Sequence, residues 1–289
     1  MSTPSNGAHA NTTRWLFAML IASGVAVGCS TDETPQPGAT RASAAVTGGD
    51  FHSLVADPTD PARLYAGGHA HVARSEDGGT SWQTVEVLDD VDAMGWSITD
   101  GAIWVSGHPG LTVSRDGGST FDQANDGLDD TDVHAFGAVG TQLYAAGPGI
   151  GVAASADGGA TWTTMTRASG QAFFGRMLID PADTAHVVAA DGRAGVVESR
   201  NGGRTWTALG TDPATWVSSP DGLATIYASG GPSAQQTADG GASWSPVALP
   251  AGATLLEAAS DGRLYAGVHD GNAVTVWSSS DNGGTWLRP

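Results

Sequence analysis

The octet SADGGATW at 155–162 decides the fold, because five further copies of it follow one another along the chain. They are SEDGGTSW at 75–82, SRDGGSTF at 114–121, SRNGGRTW at 199–206, TADGGASW at 237–244 and SSDNGGTW at 279–286, with starts 39, 41, 44, 38 and 42 residues apart. A period near 40 residues marks a repeat architecture. Each octet reads as a tight hairpin turn: paired glycines supply positive φ, while an Asp carboxylate accepts backbone N–H bonds and a Ser or Thr hydroxyl braces the loop. Asp77, Asp116, Asp157, Asn201, Asp239 and Asp281 are therefore assigned structural roles. The closing Trp, replaced by Phe121 in the second copy, is large enough to fill the wedge between neighbouring sheets.

Working upstream, a second element recurs about ten residues before the octets: RLYAGG, AIWVSG, QLYAAG, HVVAAD, TIYASG and RLYAGV. Before that lies an apolar stretch ending in Asp-Pro or Asp-Gly, as in FHSLVADP. Each repeat thus offers four short strands, A to D, with the octet as the C–D hairpin.

Composition agrees with an all-β chain. Of 289 residues 42 are glycine, only 15% are charged, and lysine is absent, which argues against long helices. The net charge of −18 repels phosphate backbones and anionic headgroups, so nucleic acid is not an expected partner.

The amino terminus reads as an export signal: no acid up to Arg14, an apolar run from Trp15 to Val27, then Gly28-Cys29. Thirteen positions fall short of the roughly 20 needed to span a bilayer as a helix. Ala26-Val27-Gly28-Cys29 resembles the lipobox of bacterial lipoproteins, which implies cleavage before Cys29, lipidation of its thiol, and anchorage at the outer face of the bacterial cell membrane. The departure is Ala26, where that pattern prefers Leu. A single Cys permits no intramolecular disulfide. The domains expected are a signal peptide at 1–28, a flexible tether at 29–48 and one repeat domain at 49–289.

With its motif S-x-D-x-G-x-T-W, the chain resembles the Asp-box, or bacterial neuraminidase repeat, β-propellers over almost its whole exported length. SGHPG at 106–110 and DVHAF at 132–136 resemble bacterial lipoproteins labelled glycosyl hydrolase or exo-alpha-sialidase. The resemblance implies an all-β, six-bladed β-propeller of four-stranded antiparallel blades, with limits near 49–88, 90–127, 131–169, 171–210, 213–250 and 252–289. The last octet leaves little chain for a final D strand, and residues 43–48 are placed to complete blade 6.

A sialidase site would further imply an arginine cluster, a Tyr nucleophile with a Glu partner, and an Asp acid. The repeats argue against it. Tyr65, Tyr144, Tyr227 and Tyr265 share one strand B position with Trp104 and Val188, so the position is core packing. The Arg-Ile-Pro motif expected before the first box is absent. Other glycosidases need only two carboxylates about 5 to 10 Å apart. Asp89, Asp90, Asp92, Asp129, Asp130 and Asp132 are free for such work, so a glycoside hydrolase stands as the alternative.

The histidines carry the stronger signal. His69, His108 and His269 each fall four residues after the strand B aromatic, and His52 and His134 share a register at the start of strand A, where blade 2 carries Asp92. Because strands alternate direction, these positions lie on the rim opposite the octets. His71 follows on the same rim, whereas His186 falls on the other. Imidazole and carboxylate groups converging there suit a divalent transition metal or an anionic or sugar ligand. The expected ligand-binding set is His52, His69, His108, His134, His269 and Asp92, with His52, His69, His108 and His134 as candidate metal ligands. The bland alternative is a set of separate polar turn residues. The function expected is recognition without catalysis, by a monomer whose partner is a cell-envelope protein or glycan.

Overall fold

The computed structural model describes residues 44–99 and 101–288. The signal, Cys29 and almost all of the tether lie outside the described residues. What is described is all-β: strands β1 to β24 and a single 3-10 turn at Glu86–Leu88.

Strand β1 (Ala45–Val46) comes first. Then follow β2 (Phe51–Ala56), β3 (Leu64–Gly68), β4 (Val72–Ser75) and β5 (Gln83–Thr84), which form one antiparallel meander. The next comprises β6 (Asp92–Thr99), β7 (Ala102–His108), β8 (Gly110–Ser114) and β9 (Asp122–Gln123). An eight-stranded sheet contains β10 (Ala135–Val139), β11 (Gln142–Gly147), β12 (Gly151–Ser155) and β13 (Thr163–Thr166), then β14 (Phe173–Ile179), β15 (Val187–Asp191), β16 (Gly195–Ser199) and β17 (Thr207–Ala208). Its halves are joined by a short parallel pairing of β10 with β14, at Ala135↔Gly175 and Phe136↔Arg176. Another meander holds β18 (Trp216–Ser218), β19 (Ile226–Ser229), β20 (Ala234–Thr237) and β21 (Ser245–Val247). The last sheet has the order β1-β24-β23-β22, from β22 (Ala253–Ala258), β23 (Leu264–Asp270) and β24 (Ala273–Ser279).

The first strands of the meanders form a closed circuit: β2 touches β6, then β10, β14, β18 and β22 follow in turn, and β22 touches β2 again. Serines stitch this circuit together. Ser53 Oγ donates to Ala93 O at 2.7 Å, Ser97 Oγ to Ala138 O at 3.1 Å, and Ser218 Oγ to Leu256 O at 3.1 Å. Closure at the chain ends comes from β1, which pairs with β24 at Ala45↔Val274 and Val46↔Ala273, and from a bridge between Ser278 and Leu287.

Apolar side chains fill the spaces between neighbouring meanders instead of one central core. Tyr144, Val152, Phe173, Met177 and Val187 form one such cluster, with Trp206 packed against it edge-on to Phe173 at 4.8 Å. Each fully buried aromatic or aliphatic side chain stabilises the fold by roughly 1.5 to 3 kcal/mol. The six residues of the shared strand B position, Tyr65, Trp104, Tyr144, Val188, Tyr227 and Tyr265, are all buried. Three of the tyrosine hydroxyls reach the following meander at the octet end, Tyr144 donating to Thr184 O and Tyr265 to Pro61 O, both at 2.9 Å, and Tyr227 to Asn282 Oδ1 at 2.6 Å.

The octets share one hydrogen-bond pattern. At 155–162, Ser155 Oγ donates to Asp157 Oδ1 at 2.8 Å and accepts from Gly159 N–H at 2.9 Å. Asp157 accepts from the backbone of Thr161 at 2.9 Å and from its hydroxyl at 2.6 Å. Gly158 and Gly159 take φ of 73° and 92°, which a side chain would strain. Asn201 keeps the pattern: its Oδ1 accepts from Thr205 N–H at 3.0 Å, and its Nδ2 donates to Thr205 Oγ1 at 2.8 Å.

Candidate metal centre

Two features of the chain bring the rim histidines together. The first is a glycine at or one before the end of a second strand. A Cβ on Gly107 would stand 1.6 Å from Asp92 O, and one on Gly147 would stand 1.9 Å from Asp132 O, so glycine there lets the start of each meander close on its own second strand. The second is a bulge: the β2–β3 register shifts between Phe51 and Ser53, giving His52 an unpaired place in the strand. His69 directly follows β3, His108 ends β7 opposite Asp92, and His134 directly precedes β10.

These positions converge between consecutive meanders. His52 Nε2 lies 3.2 Å from Asp92 Oδ1, and His69 Nδ1 lies 3.4 Å from Asp92 Oδ2. His108 faces two ways: its Nδ1 is 3.2 Å from Asp92 Oδ2 and its Nε2 is 2.6 Å from Asp132 Oδ1. His134 Nε2 stands 2.7 Å from the same Asp132 oxygen. The outcome is two triads with metal-ligand spacing, His52–His69–Asp92 and His108–Asp132–His134.

Aromatic contacts hold the second triad. His134 stacks on Phe174 at 5.0 Å, and the His108 and His134 rings meet edge-on at 5.7 Å. Four-coordinate zinc with ligands at about 2.0 to 2.1 Å sets neighbouring donor atoms about 3.3 Å apart. The two imidazole–carboxylate contacts of the first triad are close to that spacing, at 3.2 and 3.4 Å, whereas the shorter contacts at Asp132 must open slightly to admit an ion.

Electrostatics make a cation the natural complement. The Asp92 side chain is 6% exposed, and its Oδ1, like Asp132 Oδ1, is buried without a hydrogen bond of acceptable geometry despite the nearby imidazole nitrogens. Burial pushes the His52 pKa down and outweighs Asp92, which keeps the ring in the neutral form that metals require. At His108 burial also pulls down, but Asp92 and Asp132 together raise its pKa.

Five of the six residues expected from the sequence, His52, His69, His108, His134 and Asp92, meet here. His269 does not enter either triad. It lies near the end of β23, in the sheet before His52, with its ring 6.3 Å from Phe51 and its Nε2 buried without a hydrogen bond. At the junction of the last sheet with the first meander its ring packs beside Phe51 instead of joining a carboxylate group. Asp132 was recognised only as one free acid among several, yet it is central to the second triad. A signal for it exists: Asp50-Phe51-His52, Asp90-Val91-Asp92 and Asp132-Val133-His134 share one Asp-x-ligand spacing. His71 pairs separately with Asp89 at 2.9 Å, and His186 with Glu198 at 3.2 Å.

The opposite, octet-bearing end holds a cavity of about 310 Å³ where the first strands of the meanders terminate. Among the described residues Glu257 is the only carboxylate lining it, and both its oxygens are engaged. Its Oε1 accepts from Ala56 N–H at 3.0 Å and lies 3.2 Å from Arg176 Nη2, while Oε2 accepts from Trp216 Nε1–H at 3.3 Å. Burial raises the Glu257 pKa against the opposing pull of Arg176. Among the described residues of this lining there is no second carboxylate to make the pair a hydrolase requires.

No protein-family model matches the chain, and no curated protein matches it. Solved structures do. A GH74 xyloglucanase from Xanthomonas campestris aligns at TM-score 0.57 and 14% identity over 86% of this chain and 46% of its own. The GH74 enzyme of Niastella koreensis aligns at 0.59 and 15% over 86% and 47%, so this chain spans just under half the length of these enzymes. YCF48 from Cyanidioschyzon merolae aligns at 0.51 and 17% over 84% and 85%. At such identities the likeness speaks for fold alone: the chain is a β-propeller.

Proposed function

We propose that this chain is a six-bladed Asp-box propeller that binds divalent transition-metal ions at its histidine-bearing rim and works by recognition without catalysis. The observation that carries the reading is the pair of triads, each with two imidazoles and a carboxylate whose buried oxygen lacks a well-formed hydrogen bond. Imidazole with carboxylate suits zinc, copper or nickel. The six octets with one bonding pattern and the closed circuit of six inner strands support the blade count. In this reading Cys29 anchors the monomer outside the cell membrane, and the metal-bearing rim meets a cell-envelope protein or glycan.

Calorimetric titration with zinc and copper tests the reading. The wild type should bind both ions, His69→Ala should weaken the first triad, His108→Ala the second, and His186→Ala neither. A wild type that takes up no metal, or a His108→Ala variant indistinguishable from it, would overturn the proposal. For the anchor, Cys29→Ser should abolish membrane partitioning of the processed chain; unchanged partitioning would refute lipidation.

A further inference from the structure

The cavity at the octet-bearing end is independent of the metal centre and has its own chemistry. Its walls are largely apolar, built from Ile98, Val139, Met177, Ile179 and Pro220 among others. Its serines are already committed: Ser97 Oγ bonds to both backbone groups of Ala138, Ser219 Oγ donates to Asp221, and Ser260 Oγ donates to Pro58 O. Among the described residues of the lining, Arg176 supplies the one cationic group. A guanidinium carries five N–H donors. That of Arg176 meets Glu257 through a single Nη2 contact of 3.2 Å and lies 5.8 Å from the Trp216 ring centroid. Its side chain remains 16% exposed, while the Glu257 side chain behind it is 1% exposed. A ligand entering the cavity therefore meets hydrogen-bond donors on an apolar background and cannot reach the buried carboxylate.

We propose that this cavity binds a small apolar monocarboxylate, with its carboxylate on the Arg176 guanidinium and its hydrocarbon body against Ile98, Val139 and Met177. Planar guanidinium groups match carboxylates in bidentate geometry, which favours an acid over other acceptors. The volume of about 310 Å³ is at the small end of ligand pockets, so a free short-chain acid fits better than a peptide terminus.

Calorimetric titration of the full chain with sodium hexanoate, hexanamide and a short acetylated peptide ending in a leucine carboxylate tests this. Hexanoate should bind saturably at one site, and hexanamide about ten-fold or more weakly, the expected loss when a charged hydrogen-bond partner becomes neutral. Arg176→Met should abolish hexanoate binding. Because that variant also strands Glu257, Val139→Phe supplies a second arm: it fills the cavity, leaves the ion pair in place, and should abolish hexanoate binding while zinc binding persists. Equal affinity for acid and amide, no saturable hexanoate binding by the wild type, or undiminished binding by Val139→Phe would overturn the proposal. Tighter binding of the peptide than of hexanoate would overturn the assignment to a free acid.

Discussion

Arg176→Met removes one half of an ion pair that ties four meanders together, and its cost follows from what remains. Glu257 lies on β22 of the last sheet and reaches Ala56 in the first meander, Trp216 on β18, and Arg176 on β14. Without the guanidinium, a carboxylate that is 1% exposed keeps only two neutral donors. Stranding a buried charge in this way typically costs about 3 to 5 kcal/mol, and the two surviving donors place the expectation near the lower bound. For a domain of this size about 3 kcal/mol lowers Tm by roughly 6 to 12 °C. The pH dependence has a definite sign. Burial already raises the folded-state pKa of Glu257, and losing Arg176 raises it further. A carboxyl with a raised folded pKa favours the folded state below its unfolded pKa, and that contribution is lost as pH rises through the folded value. The variant's deficit should therefore be large at pH 7.5 and shrink by about pH 4.5, near the unfolded pKa of Glu. Urea unfolding at the two pH values measures it, and Arg176→Met/Glu257→Met should recover much of the loss. A deficit below about 1 kcal/mol, or one independent of pH, would refute the assignment of Glu257 as a buried clamp.

Other outcomes are equally specific. The residue four positions on, Thr120, Thr161, Ser243 or Thr285, holds the carboxyls of Asp116, Asp157, Asp239 and Asp281 at about 2, so their contribution is full above about pH 4 and lost as pH falls toward 2. Asp157→Asn should keep the turn, as Asn201 does naturally, while Asp157→Ala should lower Tm; equal shifts for the two in thermal scans would contradict the brace. Gly107→Ala, whose Cβ would meet Asp92 O at 1.6 Å, should weaken zinc binding about ten-fold or more, whereas Gly192→Ala, which meets only ordinary contacts, should not. His269→Ala should leave zinc affinity unchanged in calorimetry, because its ring stands outside both triads.

What was legible in the sequence is what depends on short range or on register. The octets could be read because Ser155, Asp157, Gly159 and Thr161 bond within four positions of one another. Counting from the strand B aromatic placed His69 and His108 on the rim with His52 and Asp92, since strand direction alternates regularly. The same count placed His269 there too, but register does not say which way a ring turns, and that of His269 packs beside Phe51. Asp132 acquires its role only when β7 and β10 lie side by side. Arg176 and Glu257 were invisible as a pair: each stands as a lone charge in an apolar strand A stretch, and the path between their strands closes only with the circuit. A further turn of the octet's chemistry also escaped notice, with Asp221 accepting from the backbone of Thr225 and its hydroxyl, both at 2.9 Å, in a loop without paired glycines.

The most direct test of the metal centre is X-ray absorption at the zinc edge on protein loaded with one equivalent of zinc. The triads require a nitrogen and oxygen first shell at about 2.0 to 2.1 Å, with outer-shell scattering from two imidazoles per zinc that disappears in a His52→Ala/His108→Ala variant. A first shell of oxygen alone with no imidazole scattering, or a spectrum unchanged in that variant, would contradict the account.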